Sequence, residues 1–345
     1  MPAKPKTILA KQPINRRVLW ALMPCVAGSI YYFGWRCLWL VLLAAAVGFI
    51  TEYVFTRRRG EPVSEAVFVT TTIFALIMPP TVPWHVVVIG VAFAVIFAKE
   101  VFGGYRYNIF NPAMAGRCFV YICFPVALTA IWSAPAQGIW GGLARWTTAD
   151  SPDAVTGATP MAYFKTGKLV AKSNATEAIP FQINEGEQFY ITKTNLYKSL
   201  ILGRISGTMG VTSAILILIG GLYLFVTKTA NRGIILSLVT SYAVLNQALY
   251  MLGVKPVQDA LTALLGGGFL FGAFFMATDP ISAPRTAGAK IIYGIIIAVF
   301  TTVIRNFSIF NGGLMFSILI GNMFAPILDF GVQSFKKKAV VKGQA

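Results

Sequence analysis

Asn108-Ile109-Phe110-Asn111-Pro112-Ala113 decides how this chain folds, because part of it returns. Ile109-Phe110-Asn111 recurs 200 positions later as Ile309-Phe310-Asn311, and Pro80 recurs as Pro280. Phe74 and Phe274, and Ala98 and Ala298, keep the same offset. Apolar helices match one another readily, so the triplet and the proline carry the weight, and they indicate a duplicated core. Around these landmarks the 345-residue chain is 56% hydrophobic and only 12% charged, about half the ~25% charged residues of ordinary soluble domains. The fold expected is an all-α integral membrane protein with lipid as its outer solvent.

Apolar runs long enough to approach the roughly 20 residues that cross a bilayer core predict about ten helices. They lie near 18–34, 36–56, 65–80, 83–102, 114–133, 209–227, 231–252, 260–278, 288–304 and 312–330. Pro79, Pro80, Pro83 and Gly266-Gly267-Gly268 mark broken or tilted helices, which membranes tolerate only where the backbone is buried in protein or lines a cavity. Five helices per copy is an odd number, so the two copies are expected to be inverted. The N-terminal basic residues precede a retained first span rather than a cleaved signal.

Charge placement orients the bundle. Lys4, Lys6, Lys11, Arg16 and Arg17 precede the first helix, Arg57-Arg58-Arg59 follow the second and Lys336-Lys337-Lys338 follow the tenth. By the positive-inside rule both termini are cytoplasmic. Lys99, Arg106, Arg117, Lys228, Arg232, Arg285 and Lys290 count to the same side, and Arg36, Lys255 and Arg305 to the short opposite loops. The expected organisation is a cytoplasmic tail over 1–17, a first repeat over 18–133, a long extracytoplasmic loop over 134–208, a second repeat over 209–330 and a basic cytoplasmic tail over 331–345. Inverted repeats place ligand sites where broken helices present their ends, so this arrangement predicts two polar cavities, one per face. Asn108, Asn111 and Asp279 fall together at the cytoplasmic one.

The net charge of +17 reflects this topology rather than nucleic-acid binding, because the cations sit in tails and between apolar runs. The lone His85 excludes a multi-histidine metal site. Cys25, Cys37, Cys118 and Cys123 lack CxxC spacing and read as small apolar residues, so no metal site is expected. There is no nucleotide-binding loop and no iron–sulfur cysteine set, so no complete catalytic site is expected in this chain. Glu52 and Glu100, at or within apolar segments, read as functional groups by default, with Glu100 alternatively paired to Lys99 or Arg106. The tryptophans read as interfacial anchors.

In the long loop, Asp153-Ala154-Val155-Thr156-Gly157-Ala158-Thr159-Pro160 matches the flavin-attachment pattern Asp-x-x-Ser/Thr-Gly-Ala-Thr. In that pattern the last threonine, Thr159, is esterified to the phosphate of FMN by a dedicated flavin transferase. A hydroxyl is the one side-chain group a phosphoester needs, Gly157 and Ala158 leave room for the modifying enzyme, and Asp153 suits a role in positioning the donor. The same residues also read as an ordinary turn.

Thr156-Gly157-Ala158-Thr159, Lys99-Glu100-Val101-Phe102-Gly103-Gly104, Asn108 to Ala113 and Met276-Ala277-Thr278-Asp279-Pro280 together make the chain resemble a family. It is that of the RnfD subunit of the Rnf complex and NqrB of the sodium-pumping NADH:quinone oxidoreductase. The resemblance spans nearly the whole chain, and the short N-terminus and Pro160 are closer to RnfD. It implies an ion-translocating oxidoreductase that moves electrons between ferredoxin and NAD, coupled to sodium or proton transport, with other Rnf subunits and the flavin transferase as partners. It further implies covalent FMN on Thr159 and a noncovalent riboflavin at Asn108, Asn111 and Asp279. From the residues alone, those three equally read as helix-end and turn groups. The duplicated core alone would suit a channel or secondary transporter; the flavin motif discriminates against that reading.

Overall fold

Prolines and glycines divide the apolar runs into helices. The computed structural model describes residues 7–136, 138–148, 160–176, 189–308, 310 and 312–343. In the first half, α1 (Pro13–Phe33) opens on a proline, whose missing N–H would have had no partner in a first turn. Next, α2 (Arg36–Arg59) closes on Gly60 in the left-handed region. The third helix, α3 (Ala66–Leu76), stops ahead of Pro79-Pro80, since a residue before proline is pushed out of the helical region. Then α4 (Trp84–Val95) runs on into a π turn at Ile96–Glu100. The helix expected over 114–133 is two pieces, α5 (Pro112–Cys123) and α6 (Pro125–Thr129), because Pro125 lacks the N–H that would continue it.

The second half repeats this order. It comprises α9 (Ala214–Val226), α10 (Arg232–Met251), α11 (Ala260–Leu265), α12 (Phe269–Phe271) with a π turn at Gly272–Met276, α13 (Ala287–Phe307) and α14 (Gly313–Gly343). Broken α3 thus corresponds to broken α11–α12, and α4 and α5 to α13 and α14. Of the triplet that revealed the repeat, Ile309 and Asn311 lie outside the described residues. Matching elements meet across the centre: α1 packs on α9, and α5 on α14, as a two-fold relation between the halves produces. The last helix carries the lysines after residue 330 as a continuation of itself, where a separate tail was expected.

Between the halves lie α7 (Pro160–Lys165), β3 (Leu169–Thr176), β4 (Phe189–Ile191) and α8 (Lys193–Leu202). Strands β3 and β4 pair in parallel, as do the two-residue strands β1 (Leu9–Ala10) and β2 (Val63–Ser64). Tyr163, Phe164, Leu169, Ile191, Leu196, Leu200 and Ile205 form a small core distinct from the main one, so the long loop is in part a folded lobe.

Breaking a helix inside a bilayer leaves carbonyls without donors, and here side chains and partner backbone supply them. Beyond the end of α3, Leu76 and Met78 carbonyls accept from Gly210 and Met209 N–H at 2.8 and 3.0 Å. The Arg36 guanidinium donates to Pro80 and Val82 carbonyls. At the α11–α12 break, Arg305 donates to Gly267 O at 2.5 Å, Ala263 O at 3.4 Å and Tyr242 Oη at 2.9 Å. Gly267 sits at φ +55, and a Cβ there would lie 2.1 Å from Arg305 Nη2. Arg36 and Arg305, counted from the sequence as loop charges, are structural donors to broken helices.

Four helices, Arg36–Arg59, Arg232–Met251, Ala287–Phe307 and Gly313–Lys336, are long and apolar enough to cross a membrane alone. Only 28% to 39% of their apolar windows is buried in the protein, so the remaining apolar faces are left for lipid. The protein is an all-α, multi-pass membrane protein. The α1–α9 contact depends on Gly220, where a Cβ would lie 1.9 Å from the Ala21 carbonyl oxygen; small residues allow such approaches between membrane helices. Gly220→Ala is expected to cost about 1–3 kcal/mol and lower the melting temperature of the detergent-solubilised protein. Gly331→Ala, with nothing within 4 Å of the added carbon, is expected not to lower it.

Candidate functional site

Asn108, Asn111 and Asp279, far apart in sequence, line one open cavity of about 70 Å³. Asn111 is the N-cap of α5: its Oδ1 accepts from Ala113 and Met114 N–H at 3.1 and 3.3 Å, and Pro112 takes the first helical position. Its Nδ2 donates to Met276 O and its backbone N–H to Asn322 Oδ1, both at 3.1 Å. Asn322 in turn donates to Ser282 O at 3.2 Å and Tyr293 Oη at 2.8 Å, and the Ser282 hydroxyl donates to Asp279 Oδ2 at 2.7 Å. Asn111 is therefore chiefly a structural hub. Asn108, whose amide N–H donates to Phe110 O at 3.2 Å, and Asp279 have polar capacity left for a ligand.

Both π turns contribute to this cavity. Phe274 and Phe275 come from the second, and Lys99 from the first; single π turns inside helices recur at functional sites. Lys99 is 3% exposed. Its ammonium donates to Glu52 Oε2 at 2.5 Å and to Ser64 Oγ at 2.7 Å, and Ser64 closes the unit by donating its own N–H and hydroxyl to Glu52 Oε1. The expected pairing of Glu100 with Lys99 or Arg106 is thereby corrected: Glu100 accepts from Arg59 Nη2 at 2.5 Å. Successive helical residues point about 100° apart, so neighbours Lys99 and Glu100 reach different partners.

A second cavity of about 220 Å³ lies among α5, α6, the lobe and the start of α14. Pro112 borders the first cavity and Gly312, 200 positions on, borders the second. The repeat predicts two polar cavities; the second of the two described is lined mostly by apolar and aromatic groups. Arg117, counted from sequence to the cytoplasmic side, lies within α5 and lines the second cavity with Tyr121, Trp132 and Ala162. Sequence reading missed Arg117, Asn322 and the Lys99–Glu52 pair as site residues; a charged residue inside an apolar run was the available signal for Arg117 and Lys99.

Asp153, Thr156, Gly157, Ala158 and Thr159 lie outside the described residues. Among those described, no cluster of three or more metal-ligating side chains occurs. Cys25 and Cys37 are buried, while Cys123 is exposed. The first cavity's chemistry suits a flat heteroaromatic ring. Phe274, Phe275 and Tyr105 offer apolar faces, and Asn108, Thr278, Asp279 and Lys99 offer edge contacts.

Breaking a buried ion pair from one side costs about 3–5 kcal/mol, whereas replacing both partners with apolar residues often costs little. Glu52→Leu alone is thus expected to destabilise the protein by that amount, and Glu52→Leu with Lys99→Met by less. Thermal unfolding of the single and double variants checks this.

The sequence pattern of the NQR2, RnfD, RnfE family matches residues 7–338. The RnfD component of the ion-translocating oxidoreductase complex of Alcanivorax borkumensis is 33% identical over 328 residues, covering 92% of this chain and 90% of that protein. The NqrB component of the Na(+)-translocating NADH-quinone reductase of Ectopseudomonas mendocina is 36% identical over 302 residues, covering 86% of this chain and 67% of that protein. The RnfD component of the proton-translocating ferredoxin:NAD(+) oxidoreductase complex of Clostridium ljungdahlii is 30% identical over 327 residues, covering 93% and 91%. With a match that leaves out only the chain's two ends, this multi-pass membrane protein belongs to the NQR2, RnfD, RnfE family.

Proposed function

We propose that this chain is a flavin-carrying membrane component of an Rnf-type complex that couples electron flow between ferredoxin and NAD to ion transport across the cytoplasmic membrane. The other subunits of that complex and a flavin transferase are its partners, both termini are cytoplasmic, and the 134–208 loop faces the other side. The observation that carries this reading is the convergence of Asn108 and Asp279, 171 positions apart, on a single cavity with aromatic walls. The relatives that are components of ion-translocating and ferredoxin:NAD(+) oxidoreductase complexes support this reading.

A bound flavin supplies electron transfer in one- or two-electron steps. The chain's own residues do the rest. Thr159 would provide the hydroxyl oxygen that, losing its proton, displaces the leaving group of the transferase's activated FMN donor to form the phosphoester. In the first cavity Asn108 and Asp279 would supply a donor and acceptors to a riboflavin, Phe274 and Phe275 would exclude water, and Lys99, its charge offset by Glu52, would add a cation.

Two measurements test these sites separately. Purified protein co-expressed with the flavin transferase should fluoresce under ultraviolet light on a denaturing gel, and Thr159→Ala should abolish the band; a dark wild-type band, or a bright Thr159→Ala band, rejects the attachment. An acid extract of the native complex should contain riboflavin, reduced at least severalfold in Asp279→Ala and Asn108→Ala. Unchanged riboflavin in both variants removes the cavity assignment. Asn108 is preferred to Asn111 for this purpose because Asn111 also caps α5 and holds Met276.

A further inference from the structure

The wall of the second cavity holds a charge that no carboxylate among the described residues balances. Arg16 and Arg59 meet carboxylates, and Arg36 and Arg305 meet carbonyls. Arg117 differs. Among the described residues no carboxylate lies within 4 Å of it, and its Nε is shielded from solvent without a hydrogen-bond partner. A charged side chain at membrane depth costs about 2.5–3.5 kcal/mol on insertion scales and marks a functional site by default. A permanently charged guanidinium left this way calls for a negative group supplied from elsewhere.

The cavity restricts what that group is. Around Arg117 stand Tyr121, Leu128, Trp132, Leu314 and Met315, which favour a broad planar ring over a hydrated inorganic anion. Ala162 lines the same cavity, and Thr159 precedes it in sequence by three residues, a span of at most about 11 Å of chain. Lys165, further along α7, donates to the Arg305 and Ser308 carbonyls at the end of α13 and ties this part of the lobe to the second half.

We propose that Arg117 is the counter-charge for the flavin ring carried on Thr159, which enters the second cavity and gains one negative charge when it takes up one electron without a proton. The inference rests on the covalent-flavin reading, and the electron comes from the complex's own electron flow. A fixed positive charge beside the ring stabilises the charged, reduced form and raises the reduction potential.

The test uses the purified complex from cells co-expressing the flavin transferase, with Arg117→Gln and Arg117→Lys beside the wild type. Gel fluorescence reports attachment, and a spectroelectrochemical titration reports the potential of the covalent flavin. Arg117→Gln should keep its fluorescent band and shift the one-electron equilibrium at least about tenfold against reduction, a fall of about 59 mV, with a smaller shift for Arg117→Lys. Tyr121→Glu, one helical turn further along α5, keeps the arginine but gives it a carboxylate neighbour; it should lower the potential too, and serves where Arg117→Gln does not accumulate. An unchanged potential in a fluorescent Arg117→Gln or Tyr121→Glu complex overturns the role of Arg117 while leaving the attachment standing. A dark wild-type band overturns both.

Discussion

Hydrocarbon cannot accept or donate a hydrogen bond, so every interrupted helix in this protein must find partners inside the protein. Each unsatisfied backbone group at that depth costs several kcal/mol, and most of the polar architecture follows. The break after α3 is closed by Arg36 and by the backbone of Met209 and Gly210, and the break between α11 and α12 by Arg305. Asn111 joins the start of α5 to the Met276 carbonyl and to α14. Several of these bonds run from one half of the duplication to the other. The interruptions that weaken individual helices thus bind the two halves to each other.

The same interruptions open the cavities. Where a helix stops, side chains from neighbouring elements face space that no helix fills, and the repeat creates this situation twice. The two spaces have diverged in chemistry. One is edged by amides, a carboxylate and a lysine neutralised by Glu52; the other is mostly apolar and aromatic around an arginine with no carboxylate partner among the described residues. In the first the charge is balanced when the protein folds. In the second no carboxylate among the described residues pairs with it.

Much of this frame was legible in the chain because membrane physics writes itself plainly into sequence. The apolar runs, the proline and glycine breaks and the repeat offset located helix in each of the ten expected stretches, and the repeat brought Asn108, Asn111 and Asp279 together. Helix ends were less legible: Pro125 split one expected helix, and the stretch before Ala214 is non-helical because its backbone serves the end of α3. Charge counting treated Arg36, Arg117 and Arg305 as topology markers, since a one-dimensional tally does not separate a cation facing a headgroup from one folded onto a carbonyl. Glu100 was assigned to its sequence neighbours, although adjacent positions on a helix diverge.

By itself the sequence determined that the chain lives in lipid, that its core is duplicated and which loop bears a flavin-attachment pattern. These follow from local properties: hydrophobicity, spacing and residue type. Only the tertiary structure decided which of its charges are spent on backbone, that Lys99 belongs with Glu52 and Ser64, that Asn111 is a hub more than an open ligand, and that Arg117 stands in a cavity beside Ala162 with no carboxylate near it among the described residues. Partnership at membrane depth is set by which elements pack together, because there every polar group takes its partner from within the protein and that partner is usually distant in sequence.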